Sequence, residues 1–397
     1  MRTCRFLHFN CAKYVFLTRA HFGRSAASLS QQDDIERFMR FMEPYDMTRW
    51  SYLTALNITV MENLDLTTTQ SLSLALRHAV NVEDLEVHEA SELFGPAQTD
   101  RQIALFRALS ALPNVKRLVA GGASLSTCLM LEEMQWPLQS ARITGGPGEF
   151  WYEPGLTERL HPISILKNAR MTLESLFIRS WPPCTNELNS YITYPNMRCV
   201  DIMDVFFPPI IPWVASYPRL DKFNAHHIHS NAQEGHMNDV SEDDLADFQE
   251  QHLYNVEQQL VHGSWPRLLN IEGSVFDIYC LGITCRISSL TLIPSPVSLP
   301  FVPEIVALAR PVSLKIQFPE DLPPSSVAAI LCHPGLQELE DLLVYAYEDL
   351  PGKYFHKYFV SFDSFVERCE SDTLGTHRRL FWTRLPQLPD FPPCVSS

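Results

Sequence analysis

Short stretches with apolar residues at the first, fourth and sixth positions recur along the chain. "MTLESLFIRSW", residues 171 to 181, carries Leu173, Leu176 and Ile178 with polar residues between them. "VEDLEVH" from Val82, "VKRLVAG" from Val115 and "MRCVDIM" from Met197 repeat the phrase. A strand with one buried face places apolar side chains at alternate positions. The last two apolar residues of the phrase then point inward, and the first packs the turn leading into the strand. Copies begin at Leu53, Val82, Val115, Leu138, Leu173, Met197, Leu220, Leu268, Ile287 and Pro311, with a weaker eleventh at Leu336 or Leu339. Successive starts lie 29, 33, 23, 35, 24, 23, 48, 19 and 24 residues apart.

The triplet alone is uninformative, because a chain this apolar matches it by chance at about one position in ten. Its context carries the weight. A proline stands two residues before the start at Pro113, Pro195, Pro218 and Pro266, and again before Leu336. Apolar-periodic stretches precede it, as in "IALFRALSALPNVKRL" and "WVASYPRLDKF". Proline stops a helix and biases the preceding residue towards extended geometry. Helix, proline and short strand at spacings near 24 predict an α/β fold, a leucine-rich-repeat-like solenoid with a curved parallel sheet and outer helices.

The spacing of 48 is twice 24 and holds an acidic stretch. Between Lys222 and Arg267 there is no Lys or Arg but eight acids, from Glu234 to Glu257. Ser241 followed by Glu242, Asp243 and Asp244 reads as an N-cap with acids in the first turn, where the helix dipole favours them. Leu245, Phe248, His252, Val256 and Leu260 form one stripe at helical spacing. The expectation is an acidic surface helix, residues 231–262, inserted into one repeat and removable without unfolding the rest. Ser241, followed by three acids, is also a candidate phosphosite for an acid-directed kinase.

At 397 residues and 46% hydrophobic content the chain has ample material for a large core. Its formal charge of -15 argues against a nucleic-acid partner, which needs a basic face. The ten cysteines lack C-x-x-C spacing and suit a reducing compartment. The most apolar tract, "VFFPPIIPWVASY", is short and broken by Pro208, Pro209 and Pro212, so no membrane span is expected. The first acid is Asp33, behind Arg2, Arg5, Lys13, Arg19 and Arg24. Such an N-terminus also fits a mitochondrial presequence.

Catalytic signatures are weak. "NAHHIHS" gathers His226, His227 and His229, with His236 nearby, but no carboxylate or cysteine joins them at a ligand spacing. They read as loop histidines, with no metal and no cofactor. "GGPGE" from Gly145 lacks the lysine and Ser/Thr of a phosphate loop and reads as a turn. Ser164 and Lys167 form S-x-x-K without the companion motifs of a serine acylase. What remains is a surface. The residues that alternate with the buried ones are predicted to line the concave face: Asp84, Glu86, His88, Arg117, Arg142, Phe177, Arg179, Asp201, Met203, Lys222 and His226. Four bases among them suggest a local basic stripe.

"LPNVKRLV" and "YPNMRCVDI" resemble the strand phrases of fungal F-box proteins with degenerate leucine-rich repeats, over roughly residues 33–350. "MRTCRFLHFNCAKYVF" is similar to the last F-box helix of that family. The resemblance implies a substrate receptor of a Skp–cullin–F-box ubiquitin ligase. On this resemblance residues 1–32 are the remnant of that helix and a linker, with Cys4, Leu7, Cys11, Tyr14 and Val15 as the adaptor-facing positions. The earlier Leu-Pro helices would precede Met1, so a Skp-type adaptor is implied only if they are restored. Residues 351–397 are expected to form a helical cap, with Phe355, Phe359, Phe362, Val366 and Cys369 on one face, and a proline-rich tail. The expected role is a non-enzymatic protein-recognition module in the cytoplasm or nucleus. The alternatives are a hydrolase with an unread site and a mitochondrial scaffold.

Overall fold

The structure is a computed structural model. It describes residues 27–29, 32–43, 47–60, 66–89, 100–123, 125–145, 160–181, 192–205, 208–226, 242–295, 297–319, 339–347 and 379–380. The adaptor-facing positions Cys4, Leu7, Cys11, Tyr14 and Val15, the residues Ser241, His227, His229 and His236, and the cap face from Phe355 to Cys369 lie outside the described residues. Of the expected remnant and linker only Ala27–Leu29 and Gln32 are described, and of residues 351–397 only Arg379–Leu380.

The elements run β1 (Ala27–Leu29), α1 (Gln32–Met42), β2 (Ala55–Val60), α2 (Leu66–Leu76), β3 (Asp84–Glu89), α3 (Asp100–Ser110) and β4 (Arg117–Ala123). Then follow α4 (Leu125–Glu133), β5 (Ser140–Gly145), α5 (Pro162–Ile165), β6 (Ser175–Arg179), β7 (Cys199–Met203), α6 (Ile211–Ser216) and β8 (Lys222–His226). The chain continues through α7 (Glu242–His262), β9 (Arg267–Ser274), α8 (Val275–Leu281), β10 (Arg286–Ile293), α9 (Val302–Ala309), β11 (Ser313–Pro319), β12 (Asp341–Tyr347) and β13 (Arg379–Leu380). All thirteen strands among the described residues join one sheet in chain order, and every pairing is parallel. The fold is α/β with a single parallel sheet.

The phrase register holds strand by strand. Leu56, Leu85, Leu118, Ala141, Leu176, Val200, Phe223, Ile271, Leu290 and Leu314 are successive Cα partners, all buried. Ile58, Val87, Ala120, Ile143, Ile178, Ile202, Ala225, Gly273, Leu292 and Ile316 form a second buried rank two residues on. The phrase starts from Leu53 to Pro311 are buried too, and Leu339, not Leu336, leads into β12. Gly273 takes an apolar slot because a Cβ there would stand 2.3 Å from the Ala225 carbonyl oxygen. The strand ranks and the buried helix side chains form one continuous cluster, so the helices cover the face onto which these ranks point.

Features of the turns before the strands recur as well. The residue ahead of the proline is buried in the four described cases, at Leu112, Tyr194, Tyr217 and Trp265. Tyr194 meets Tyr217 edge-on at 5.3 Å, and Trp265 Nε1 donates to the Tyr217 carbonyl at 2.9 Å. The residue before the phrase start is asparagine in three copies. Asn81, Asn114 and Asn196 each donate Nδ2 to a carbonyl of the preceding copy, at Ser51, Val80 and Met171, over 2.6, 2.7 and 2.6 Å. The carbonyls of Thr54, Glu83, Lys116, Gln139, Glu174, Arg198 and Asp221 each accept two consecutive N–H groups of the next strand's approach.

The acidic helix departs from expectation. α7 begins at Glu242 as expected, but β8 pairs directly with β9, so the double spacing holds a long helix in place of a further strand. The helix packs against α6 and α8. Leu260, expected in its apolar stripe, is 76% exposed, and Leu253 is 64% exposed. The buried stripe is Phe248, His252, Asn255 and Gln259, with Leu245 packed against the core. Phe248 stacks on Phe276 at 4.8 Å, and His252 on Tyr279 at 4.0 Å. Asn255 donates to the Cys280 carbonyl at 2.8 Å, and Gln259 to the Gly282 carbonyl at 2.6 Å. These are the end carbonyls of α8, which have no partner within their own helix. Asn255 Oδ1 also accepts the Ile210 N–H at the start of α6, at 3.1 Å. One polar stripe thus caps two neighbouring helices.

Candidate functional site

Successive residues of a strand point to opposite faces. The positions between the two buried ranks therefore form a rank on the face away from the helices: Asn57, Glu86, Val119, Arg142, Phe177, Asp201, Asn224, Glu272, Thr291 and Lys315. Apart from buried Asn224 and exposed Arg142 they are half-buried. On either side of this rank lie Asp84, Arg117, Cys199 and Lys222, and, at the other strand ends, His88, Arg179, Met203 and His226. All the residues expected on the recognition face thus share it.

Most are already engaged. The Arg117 guanidinium makes two hydrogen bonds to the Asp84 carboxylate, which raises the arginine pKa further. Arg179 Nε donates to Asp204 at 2.7 Å, and the Arg142 guanidinium lies 4.3 Å from the centre of the Phe177 ring. Two of the four bases in the expected stripe are therefore neutralised, by Asp84 and Asp204. Glu86 accepts from Asn57 Nδ2 at 2.8 Å and meets His88 Nε2 at 2.7 Å. His88 lies over Gly121, where a Cβ would stand 2.4 Å from its ring. Asn224 Nδ2 donates to Asp201 Oδ2 at 3.4 Å. Lys222 stands beside Cys199, whose thiol burial pushes up, away from a reactive thiolate.

The remaining motifs do not converge. His226 closes β8 and is half-buried. Lys167 faces Glu132 at 3.5 Å, away from a nucleophile role for Ser164. Gly145 ends β5. Among the described residues, no group of three or more His, Cys, Asp or Glu is placed to hold a metal, and no helix is long and apolar enough to cross a membrane.

Asn57, Asn224 and Glu272 belong to the central rank and were absent from the sequence reading. Their signal was available: each is the fourth residue after a phrase start, as are Glu86, Arg142, Phe177 and Asp201. No protein-family model matches the chain, and no curated protein matches it at a significant level.

Proposed function

We propose that the chain is a leucine-rich-repeat-like solenoid that works as a non-enzymatic protein-recognition module, in the manner of the substrate receptors of Skp–cullin–F-box ubiquitin ligases. The observation that carries this reading is the central rank from Asn57 to Lys315. Polar, charged and aromatic side chains stand there in strict register across consecutive parallel strands, on the face that the helices leave uncovered. Repeat proteins use such extended faces to bind other proteins. The recurring asparagine contacts and paired N–H groups between copies support the repeat reading. Phe177 supplies an aromatic anchor, and the arginines around it add the side-chain type enriched at interface centres. A Skp-type adaptor joins the assembly only where a complete F-box precedes this chain. A cytoplasmic or nuclear site of action accompanies this reading.

The test compares proteins co-purifying from cells with the wild-type chain and with Phe177→Ala/Arg179→Ala, quantified by mass spectrometry. At least one partner should fall tenfold or more on the variant, with the variant's unfolding curve unchanged. An identical set of partners on both chains overturns the reading.

A further inference from the structure

Asp201 on β7, Asn224 on β8 and Glu272 on β9 are direct Cα neighbours across the middle of the open face. Asn224 is only 6% exposed, and its Nδ2 donates to Asp201 Oδ2. Asn224 lies on β8, between the strands that carry Asp201 and Glu272. Neither Asn224 Oδ1 nor Asp201 Oδ1 has a hydrogen-bond partner, and both are closed to water. The row is thus rich in acceptors, with two carboxylates and a free amide oxygen, and the amide is its single donor group.

The arginines nearest this row are committed elsewhere, and Lys222 and Lys315 stand outside it. Arg142 lies on Phe177, Arg179 binds Asp204, and Lys222 sits one rank away beside Cys199. Among the described residues, no base pairs with Asp201 or Glu272. Neighbouring strands lie ~4.8 Å apart, so the two carboxylates are rooted roughly 10 Å apart with the amide oxygen between them. An ammonium offers three donors and a guanidinium five, all positively charged, which matches acceptors spread over that width. We propose that Asp201, Asn224 and Glu272 form a subsite for a lysine or arginine side chain presented by a protein partner. The proposal deepens the receptor reading and rests on it. Binding requires the half-buried side chains around the two closed oxygens to turn aside. Phe177, next in the rank, offers an apolar shelf for its methylene stem.

The probes are N-acetyl-arginine amide and N-acetyl-lysine amide, with N-acetyl-glutamine amide as the neutral control. Each is titrated into the full nitrogen-15-labelled chain while the Asn224 side-chain amide resonance is followed by NMR. The Asn255 side-chain resonance reports the integrity of the fold. Both cationic amides should shift Asn224 saturably, the glutamine amide should not, and added salt should weaken the response. Asp201→Asn/Glu272→Gln should weaken binding tenfold or more. Asp247→Asn/Glu250→Gln, which removes the same charge from the exposed side of α7, should change it less than twofold. If the double variant disturbs Asn255, Glu272→Gln alone serves in its place. An unshifted Asn224, or equal loss in both charge variants, overturns the proposal. A partner lost on Phe177→Ala/Arg179→Ala but retained on Asp201→Asn/Glu272→Gln overturns the subsite and leaves the receptor reading standing. A saturable arginine response with no face-dependent partner does the reverse.

Discussion

Two clusters of partly or wholly buried polar side chains lie on opposite sides of the same sheet, and they are finished to different degrees. Under α7, Asn255 and Gln259 have donors and acceptors for both ends of their amides, and both ring nitrogens of His252 face oxygen acceptors. On the open face, Asn57, Asp201 and Asn224 each leave one oxygen without a partner. A buried polar group costs free energy unless it is paired, so the first cluster is complete within the chain and the second is not. Where neighbouring helices supply every partner, polarity holds the fold together. Where the chain supplies only some, hydrogen-bonding capacity is left unmet.

The largest expected effect tests whether the α7 cluster is structural. Removing residues 242–262 would uncover Phe276 and Tyr279 and strip the caps from the Cys280 and Gly282 carbonyls and the Ile210 N–H. The deletion should abolish a cooperative thermal unfolding transition, read by circular dichroism. A deletion variant that still melts sharply near the wild-type temperature would return α7 to the status of a detachable insertion.

Next in size is Asn255→Leu, which keeps the helix but strands the Ile210 N–H and the Cys280 carbonyl. Each orphaned group costs about 1–3 kcal/mol. Urea denaturation should show a loss of about 2–6 kcal/mol, and a loss under 1 kcal/mol would mean that solvent reaches both groups.

The same contrast explains what could be read from the sequence. The strand register was legible from Leu53 to Leu339 because a period of two, with one face buried, leaves little freedom: a slip of one residue would turn every apolar side chain outward. Even the Gly273 slot fell within the register, although nothing in the phrase foretold the close approach of Ala225. β1 was missed because its three residues are too few to show a period. The second half of the α7 stripe was misjudged, after Leu245, Phe248 and His252, because hydrophobicity favours Leu260 as the inward residue, whereas Asn255 and Gln259 are inside. Their burial depends on carbonyls of α8 and an N–H at α6, and contacts between separate segments leave no mark in local periodicity. Membership of the open face was legible; the pairing of Arg117 with Asp84 and of Arg179 with Asp204 required the strands to be set side by side.

His161 stands between the two clusters in kind. Its Nδ1 accepts the Ile163 N–H at 3.1 Å and caps α5, while Nε2 has no partner. Burial holds its pKa down to about 3, from an ordinary value of 6.5. The unfolded chain therefore takes up a proton below pH 6.5 that the folded chain refuses until about pH 3. This contribution is intact above the upper value and declines as pH falls through the window, by roughly 1.4 kcal/mol per pH unit. His161→Asn keeps an acceptor for the cap and cannot titrate, so its stability should fall less steeply with acid over that range. Denaturation midpoints taken at several pH values measure the slope, and an unchanged slope would place the acid sensitivity elsewhere.

The smallest effect is expected at Asn224, and it is the sharpest complement to Asn255. Asn224→Leu removes one long hydrogen bond, 3.4 Å to Asp201, and with it an oxygen that has no partner. The lost bond is worth about 0.5–1.5 kcal/mol, but the desolvated oxygen carried a penalty of similar size, and leucine fills the space with apolar contact. The two contributions oppose each other, so stability should change by about 1 kcal/mol or less. The equivalent change at Asn255 should cost several times more. Urea midpoints of the two variants, measured side by side, decide the matter. If Asn224→Leu is as damaging as Asn255→Leu, the open-face amide is a structural tie like its counterpart under α7. If it is nearly neutral, the chain can spare that amide, and its unpaired oxygen is left for recognition.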